Sequence, residues 1–144
     1  SNLRMTNVAA ALLHEQVLRA EYIHDKIRSI HEAYSRLLEA LSPRVRLVRT
    51  DPNTEKSYWM TAVLLEHCGE YIDFEQYMLD RGIEMRPIFP SYKRHAFLAN
   101  IPLIKLEGIS QEKSSFGCLL PSGPGLSDDQ QIYVVKCINE YLDK

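Results

Sequence analysis

The chain has 144 residues, of which 45% are hydrophobic and 25% charged, and its formal net charge at neutral pH is -2. This composition is typical of an ordinary globular chain that forms one domain or one large piece of a longer protein. The near-neutral charge gives no reason to expect nucleic acid or a membrane as partner, and no apolar run reaches the roughly 20 residues of a membrane-spanning helix.

Two helices open the predicted chain. Thr6 can cap a first helix from Asn7 to about Leu18, which three alanines leave thin enough for another backbone to approach closely. A second helical pattern is stronger, because apolar residues recur at intervals of three and four along one stripe. The stripe comprises Ile23, Ile27, Ile30, Tyr34, Leu37, Leu38 and Leu41. Pro43 ends this helix, since proline disfavours helix in the residue before it.

Strand signals dominate the middle of the chain. Residues 45–48 form a short strand candidate, and residues 58–65 ("YWMTAVLL") form the best one, with near-continuous apolarity that predicts burial on both faces. Residues 72–79 are predicted as a helix that Gly82 closes, because glycine adopts the left-handed conformation of a helix C-terminus. Residues 83–88 contain a proline, which restricts them to an edge strand or a strand end.

The last third contains an irregular segment at 89–115, a short extended stretch at 117–120 and a final helix. Ser127 begins this helix, and Gln130 is placed for a capping box. Its predicted buried side comprises Ile132, Val135, Ile138 and Leu142. The order of elements predicts an α+β fold in which helices pack on a small sheet, with the first helix left outside this layer.

Cysteine usage favours a reducing compartment. Cys68, Cys118 and Cys137 are scattered along the chain and odd in number, which favours buried thiols over a disulfide framework. The first residues lack the charged and apolar regions of a signal peptide. We therefore expect a cytoplasmic location.

Three common kinds of reactive site are not indicated. The five histidines show no metal-ligand spacing and no cysteine pair exists, so we predict no metal site. Neither Ser57 nor Ser122 has the setting of an activated nucleophile. The "SGPG" segment lacks the lysine of a phosphate-binding loop, and its proline removes a backbone donor.

Two segments do indicate ligand binding. Residues 86–95 place four cationic or potentially cationic groups between prolines and aromatic residues, a composition that suits an anionic ligand with a ring, such as a nucleotide. A solvated basic loop is the alternative interpretation. Asn2 and Arg4 lie just before the first helix, where amide and guanidinium donors beside a helix N-terminus favour anions.

Four motifs resemble those of one enzyme family. The segments "NLRMTNVAAALLHEQ", "SYWMTAVLL", "RGIEMRPIFPSYKRHAF" and "LPSGPGLSDDQ" follow the order of the DegT/DnrJ/EryC1/StrS sugar aminotransferase family. The resemblance extends from Asn2 to the last helix. In these motifs the chain is most similar to members of the perosamine synthase type, which aminate nucleotide-linked 4-keto-6-deoxy sugars.

This resemblance implies the small C-terminal domain of the type I pyridoxal phosphate aminotransferase fold, with helices packed on a small, mostly antiparallel sheet. Residues 21–144 would form this domain, and residues 1–20 would form an interdomain or interface helix. The family's large domain, with the lysine that binds pyridoxal phosphate, would lie upstream, so the chain is expected to begin mid-protein. Family members are homodimers whose active sites lie at the subunit interface.

The resemblance also implies roles for individual residues. Asn2 is expected to contact the cofactor phosphate of the neighbouring subunit, and Arg4 is expected to face its substrate. Arg86, Tyr92 and Lys93 are expected to line the cleft for the nucleotide sugar. None of the seven lysines lies in the family's Schiff-base motif. No catalytic residue is therefore assigned, and the chain alone is expected to be inactive.

Two functions of different kinds remain as hypotheses. In the first, the chain is part of an enzyme that transfers an amino group, with glutamate as donor, to a keto carbon of a nucleotide-linked deoxy sugar. In the second, it is a truncated, non-catalytic relative that acts as a binding or dimerisation module. A generic α+β domain whose motifs match by chance is a third reading.

Overall fold

A computed structural model of the chain describes residues 4–48, 50–66, 71–90, 96 and 117–144. These residues form the helices α1 (Asn7–Leu18), α2 (Ala20–Glu39), α3 (Tyr71–Leu79) and α4 (Asp128–Leu142) and the strands β1 (Val45–Leu47), β2 (Thr61–Leu65), β3 (Arg86–Pro87) and β4 (Gly117–Leu120). The strands make one antiparallel sheet in the order β1-β2-β4-β3. The predicted α+β class is confirmed.

Strand β2 lies inside the sheet and fixes its register. Val63 pairs with Leu47 of β1 on one side and with Cys118 of β4 on the other. Along β2 the side chains alternate, with every second residue buried and those between half-buried. The predicted burial on both faces is therefore only partly met. The strand also begins three residues later than predicted, because Tyr58 has a positive φ of 56° and the backbone turns there before it becomes extended.

Helices α2, α3 and α4 supply most of the rest of the core. Ile30, Tyr34 and Leu38 form the buried stripe of α2, as the sequence period predicts. The core also contains Phe74 and Met78 of α3. Removing these side chains from water is the main favourable term for folding of this layer.

The buried side of α4 differs from the prediction in one respect. Ile132 is 51% exposed, whereas its neighbour Gln131 is buried. The Gln131 side-chain amide donates to the backbone carbonyl of Ile30 at 2.8 Å, which satisfies the buried polar group and joins α4 to α2. The buried face of α4 therefore includes Gln131, Val134, Val135 and Ile138, and Ile132 lies outside it.

Several local predictions are confirmed. The Thr6 hydroxyl accepts from the Ala9 amide at 3.2 Å and caps α1. Ser127 and Gln130 make the complete capping box of α4. Gly82 has a φ of 73°, and β3 with its proline lies at the sheet edge. No described helix is long and apolar enough to cross a membrane.

Helix α1 stands apart from this core. It has no buried residue, and its apolar side chains are exposed along its whole length. The largest exposures include Val8 at 73% and Leu12 at 67%. This geometry agrees with a helix that packs on a surface other than the sheet layer.

Candidate functional site

Three separate sequence segments meet at one cleft, which we call the Arg86 cleft. It has a volume of about 410 Å³. The segments are the bend before β2, residues 84–86 at the start of β3, and the end of β4 with the loop that follows it, and helix α2 contributes one further side chain. Lining residues are Ile27, Trp59, Met60, Glu84, Arg86, Leu119, Leu120, Pro121, Ser122, Gly123 and Pro124. The cleft thus gathers parts of three of the four motifs that the sequence singles out.

Arg86 reaches the cleft because of the alternation along its segment. Ile83 and Met85 are buried, while Glu84 and Arg86 both line the cleft. Arg86 pairs with Leu119 in the ladder between β3 and β4, so its backbone position is fixed by the sheet. Within the described ranges the Arg86 guanidinium makes no ion pair or hydrogen bond. Among the described residues its donors are therefore unused, and a guanidinium can bind a phosphate or a carboxylate through paired hydrogen bonds.

Trp59 supplies a large flat apolar surface to the same cleft. The side chain is 66% exposed, which is unusual for a residue of this size and apolarity. Tyr58, the residue before Trp59, has a left-handed backbone conformation, and the Tyr58 and Trp59 side chains lie on different sides of α2. Trp59 lies with Ile27 in the Arg86 cleft, whereas Tyr58 lies beside Arg28.

The loop after β4 closes the cleft. The Leu126 amide donates to the Gly123 carbonyl at 3.0 Å, which makes a tight turn before Ser127 caps α4. At the base of this wall the Ile88 amide donates to the Gly117 carbonyl at 3.1 Å. A Cβ at Gly117 would collide with the Ile88 side chain, so a larger residue at position 117 would require that side chain to move.

A cationic cluster surrounds the Tyr58 ring on the other side of α2. The rings of His31 and His24 lie edge-on, with centroids 5.4 Å and 6.1 Å from that of Tyr58. The Arg28 Cζ and the Lys56 Nζ lie 5.5 Å and 5.9 Å from the Tyr58 centroid. These distances suit cation–π attraction. The cluster anchors Tyr58 and thereby the bend that presents Trp59.

The His31 ring lies between Lys56 and Thr61 in this cluster. Its Nε2 lies 3.0 Å from the Lys56 Nζ, and its Nδ1 lies 3.4 Å from the Thr61 hydroxyl. The Lys56 ammonium can only donate, so Nε2 accepts and the ring proton lies on Nδ1, toward Thr61. Burial lowers the pKa of His31 most, the positive charge of Lys56 lowers it further, and the negative charge of Glu32 opposes both effects. Burial also lowers the pKa of Lys56.

The predicted site residues have different outcomes. Arg86 lies in the cleft, whereas Arg4 is exposed just before α1 and does not line it. Asn2, Tyr92 and Lys93 lie outside the described residues. Trp59, Glu84 and Ser122 were not predicted, although all three lie at or beside quoted motifs. In the described part of the chain, no group of three residues could hold a metal ion.

The described residues do not by themselves make a pyridoxal phosphate site. No lysine lines the Arg86 cleft, so within the described ranges no amine there can bind an aldehyde cofactor. The cleft offers instead a cation, a flat aromatic face and a hydroxyl. Those groups suit recognition of a substrate more than covalent attachment of a cofactor.

Comparison with known sequences identifies the class of protein. Residues 1–139 match the DegT/DnrJ/EryC1/StrS aminotransferase family, and the chain belongs to this family. It is 31% identical over 144 residues to GDP-perosamine synthase of Escherichia coli O157:H7, and 32% identical over 155 residues to GDP-perosamine synthase of Vibrio cholerae. Each alignment covers 99% of this chain, but only 38% and 39% of the two relatives.

Solved structures agree on the fold. Spr1654 of Streptococcus pneumoniae in its PLP-form superimposes with a TM-score of 0.82 at 16% identity. That alignment covers 97% of this chain and 36% of Spr1654. The chain therefore spans well under half the length of the relatives that it matches, and its fold is a part of the aminotransferase fold. The resemblance seen in the motifs is confirmed.

Proposed function

We propose that this chain is the C-terminal portion of a pyridoxal phosphate-dependent aminotransferase. The whole enzyme transfers an amino group from glutamate to a keto carbon of a nucleotide-linked deoxy sugar. The observation that carries this proposal is the Arg86 cleft, in which an exposed indole lies with a guanidinium that has no ion pair among the described residues. Family membership and the names of the two curated relatives support the same reaction class.

The cleft residues act by binding and orienting the substrate. Arg86 holds a phosphate oxygen pair or the donor carboxylate through parallel charged hydrogen bonds. Trp59 packs against a flat ring of the substrate and keeps water from that face. Ser122 adds a hydroxyl that can donate to a sugar oxygen. Together these contacts orient a large anionic substrate, which is how binding energy contributes to rate.

The rest of the proposed site comes from outside the Arg86 cleft. Pyridoxal phosphate supplies the electron sink for amino transfer, and the lysine that binds it belongs to the large domain of the parent enzyme. Asn2 contacts the cofactor phosphate of the neighbouring subunit in a homodimer, and Arg4 faces its substrate. Tyr92 and Lys93 extend the cleft around the nucleotide. This chain alone is inactive, and the enzyme works in the cytoplasm without nucleic acid or membrane partners.

Residues 1–20 join the small domain to the rest of the enzyme in this proposal. The exposed apolar side chains of α1 support that role, because such a surface is costly to leave in water. Residues 21–144 form the small domain itself.

The test is steady-state kinetics on the full-length parent enzyme. Replacing Arg86 with alanine removes two charged hydrogen bonds and is expected to raise the KM of one substrate about 10- to 100-fold. Arg46→Ala is the matched control, because Arg46 pairs with Glu66 on the surface, away from the cleft. Unchanged KM values for both substrates would remove Arg86 from the site. A parent that binds nucleotide sugars saturably but transfers no amino group would support the non-catalytic module instead.

A further inference from the structure

A second cleft lies between α2 and the segment that joins β1 to β2. Its volume is about 620 Å³, and we call it the Tyr58 cleft. Its floor is the cationic cluster of Arg28, His31 and Lys56 around the Tyr58 ring. Ile27 lines the Arg86 cleft and Arg28 lines this one. Since consecutive helical residues point about 100° apart, the two clefts open in different directions.

Arg28 and Lys56 are the two cationic side chains of this cleft. Neither Arg28 nor Lys56 forms an ion pair within the described part of the chain. The Arg28 Nε is buried and has no hydrogen-bond partner among the described residues.

Three carboxylates line the same cleft, those of Glu32, Asp51 and Glu55, but none of them forms an ion pair with Arg28 or Lys56. The Asp51 carboxylate accepts from the Asn53 amide at 2.8 Å within its own turn. Glu32 and Glu55 form no ion pair with Arg28 or Lys56, so their carboxylate oxygens lie more than 4.0 Å from the charged nitrogens of those two residues. Burial is the cause of the lowered pKa of Lys56, whereas a nearby carboxylate would raise it.

We propose that the Tyr58 cleft binds the phosphate group of a small molecule. Arg28 and Lys56 supply the two charges, and the Ser35 and Thr50 hydroxyls at the wall supply further donors. A phosphate monoester carries a charge close to -2 at neutral pH and several acceptor oxygens, so it matches two cations and several donors better than a carboxylate does. The site is separate from the Arg86 cleft and does not depend on amino transfer.

Inorganic phosphate is the probe for the first experiment. The labelled 144-residue chain is titrated with it at constant ionic strength, and amide and imidazole shifts are followed by NMR. We expect saturable shifts at Arg28, His31 and Lys56, and a rise in the pKa of His31, since the bound anion offsets the charge of Lys56. Shifts that stay linear with phosphate, spread over surface lysines, would overturn the proposal.

Two variants decide which residues are responsible. Lys56→Gln is expected to weaken phosphate binding about tenfold or more, since a charged hydrogen bond is lost. Lys136→Gln removes an exposed lysine of α4 that lies 3.8 Å from Glu140 and outside both clefts, and it should leave binding unchanged. Lys56→Arg keeps the charge and should retain binding. Equal effects of Lys56→Gln and Lys136→Gln would refute the site, and the titration of the unaltered chain remains decisive if a variant fails to fold.

A second titration identifies the source of the phosphate. Ribose 5-phosphate that binds more tightly than inorganic phosphate indicates a phosphorylated metabolite, while equal affinity indicates the free ion. Both results support the cleft as a phosphate site. A failure here leaves the role of Arg86 untouched, because that test measures KM in the parent enzyme.

Discussion

Helices α1 and α4 have similar local signals but very different surroundings. Each begins with a hydroxyl cap, Thr6 for α1 and Ser127 for α4, and the two have 12 and 15 residues. Yet α4 buries five residues and α1 buries none. The comparison teaches that caps and propensity define where a helix forms, while a packed partner provides most of its stability.

The pattern of apolar residues sharpens this difference. In α2 they lie on one stripe, which matches one buried face. In α1 they lie on every side, a pattern typical of a helix enclosed by protein. Within the described residues nothing encloses α1, which agrees with the proposal that residues 1–20 pack on the rest of the parent enzyme.

The largest expected effect comes from truncating a buried side chain of α4. Ile138 has an exposure of 0%, so Ile138→Ala should lower the free energy of unfolding by about 2–5 kcal/mol. Leu12→Ala in α1 is the matched control, and it should change the free energy by less than about 0.5 kcal/mol. Urea denaturation of the isolated chain measures both. Similar losses for the two variants would show that α1 is part of the core.

A smaller effect is expected from the buried amide of α4. Gln131→Ala removes the side-chain donor to the Ile30 carbonyl, which keeps its intrahelical bond within α2, so the expected cost is that of one net hydrogen bond, about 0.5–1.5 kcal/mol. Gln16→Ala on exposed α1 serves as the control and should be neutral, since alanine favours helix. A neutral Gln131→Ala in urea denaturation would mean that the hydrogen bond does not join the two helices.

Sequence reasoning succeeded where the signal is local. The Thr6 cap, the Ser127–Gln130 capping box and the turn at Gly82 each depend on residues within a few positions of one another. The period of three and four along α2 also identified its buried stripe. These features need no knowledge of the rest of the fold.

Sequence reasoning failed where distant segments decide. Gln131 is buried beside its hydrogen-bond partner Ile30, which lies 101 residues away in the chain, so no local pattern could indicate it. The apolar Ile132 was predicted for the core instead, and that prediction was wrong. The strand was predicted to begin at Tyr58, since strand propensity cannot reveal a left-handed residue that is not glycine.

The candidate site shows the same division. Arg86 was predicted from its motif, because a cation between prolines and aromatic residues is a local pattern. Trp59 and Ser122 were missed as site residues, since only the sheet order brings the bend before β2 beside the loop after β4. The Tyr58 cleft likewise depends on the packing of α2 beside that bend.

Removing the hydroxyl caps of α1 and α4 compares the two helices through effects of about 1 kcal/mol on the free energy of unfolding. Ser127→Ala should lower the free energy of global unfolding by about 1 kcal/mol, because α4 unfolds only with the core. Thr6→Ala removes an equivalent cap but should leave the global midpoint unchanged, while amide exchange in α1 becomes faster. Denaturation and hydrogen exchange measure the two effects. A lower global midpoint for Thr6→Ala would show that α1 and the core unfold together.

A charged residue introduced on the exposed surface of α1 is expected to have the smallest effect on the free energy of unfolding. The same substitution should change self-association of the chain. An exposed apolar helix drives either self-association or fraying, so the isolated chain should show one of these. Leu12→Lys should weaken any self-association in sedimentation at rising concentration, with little change in unfolding free energy. Asn7→Lys, at the first residue of α1, controls for charge alone. A monodisperse unaltered chain whose α1 amides are protected from exchange would contradict this account, because α1 would then have a partner within the same molecule.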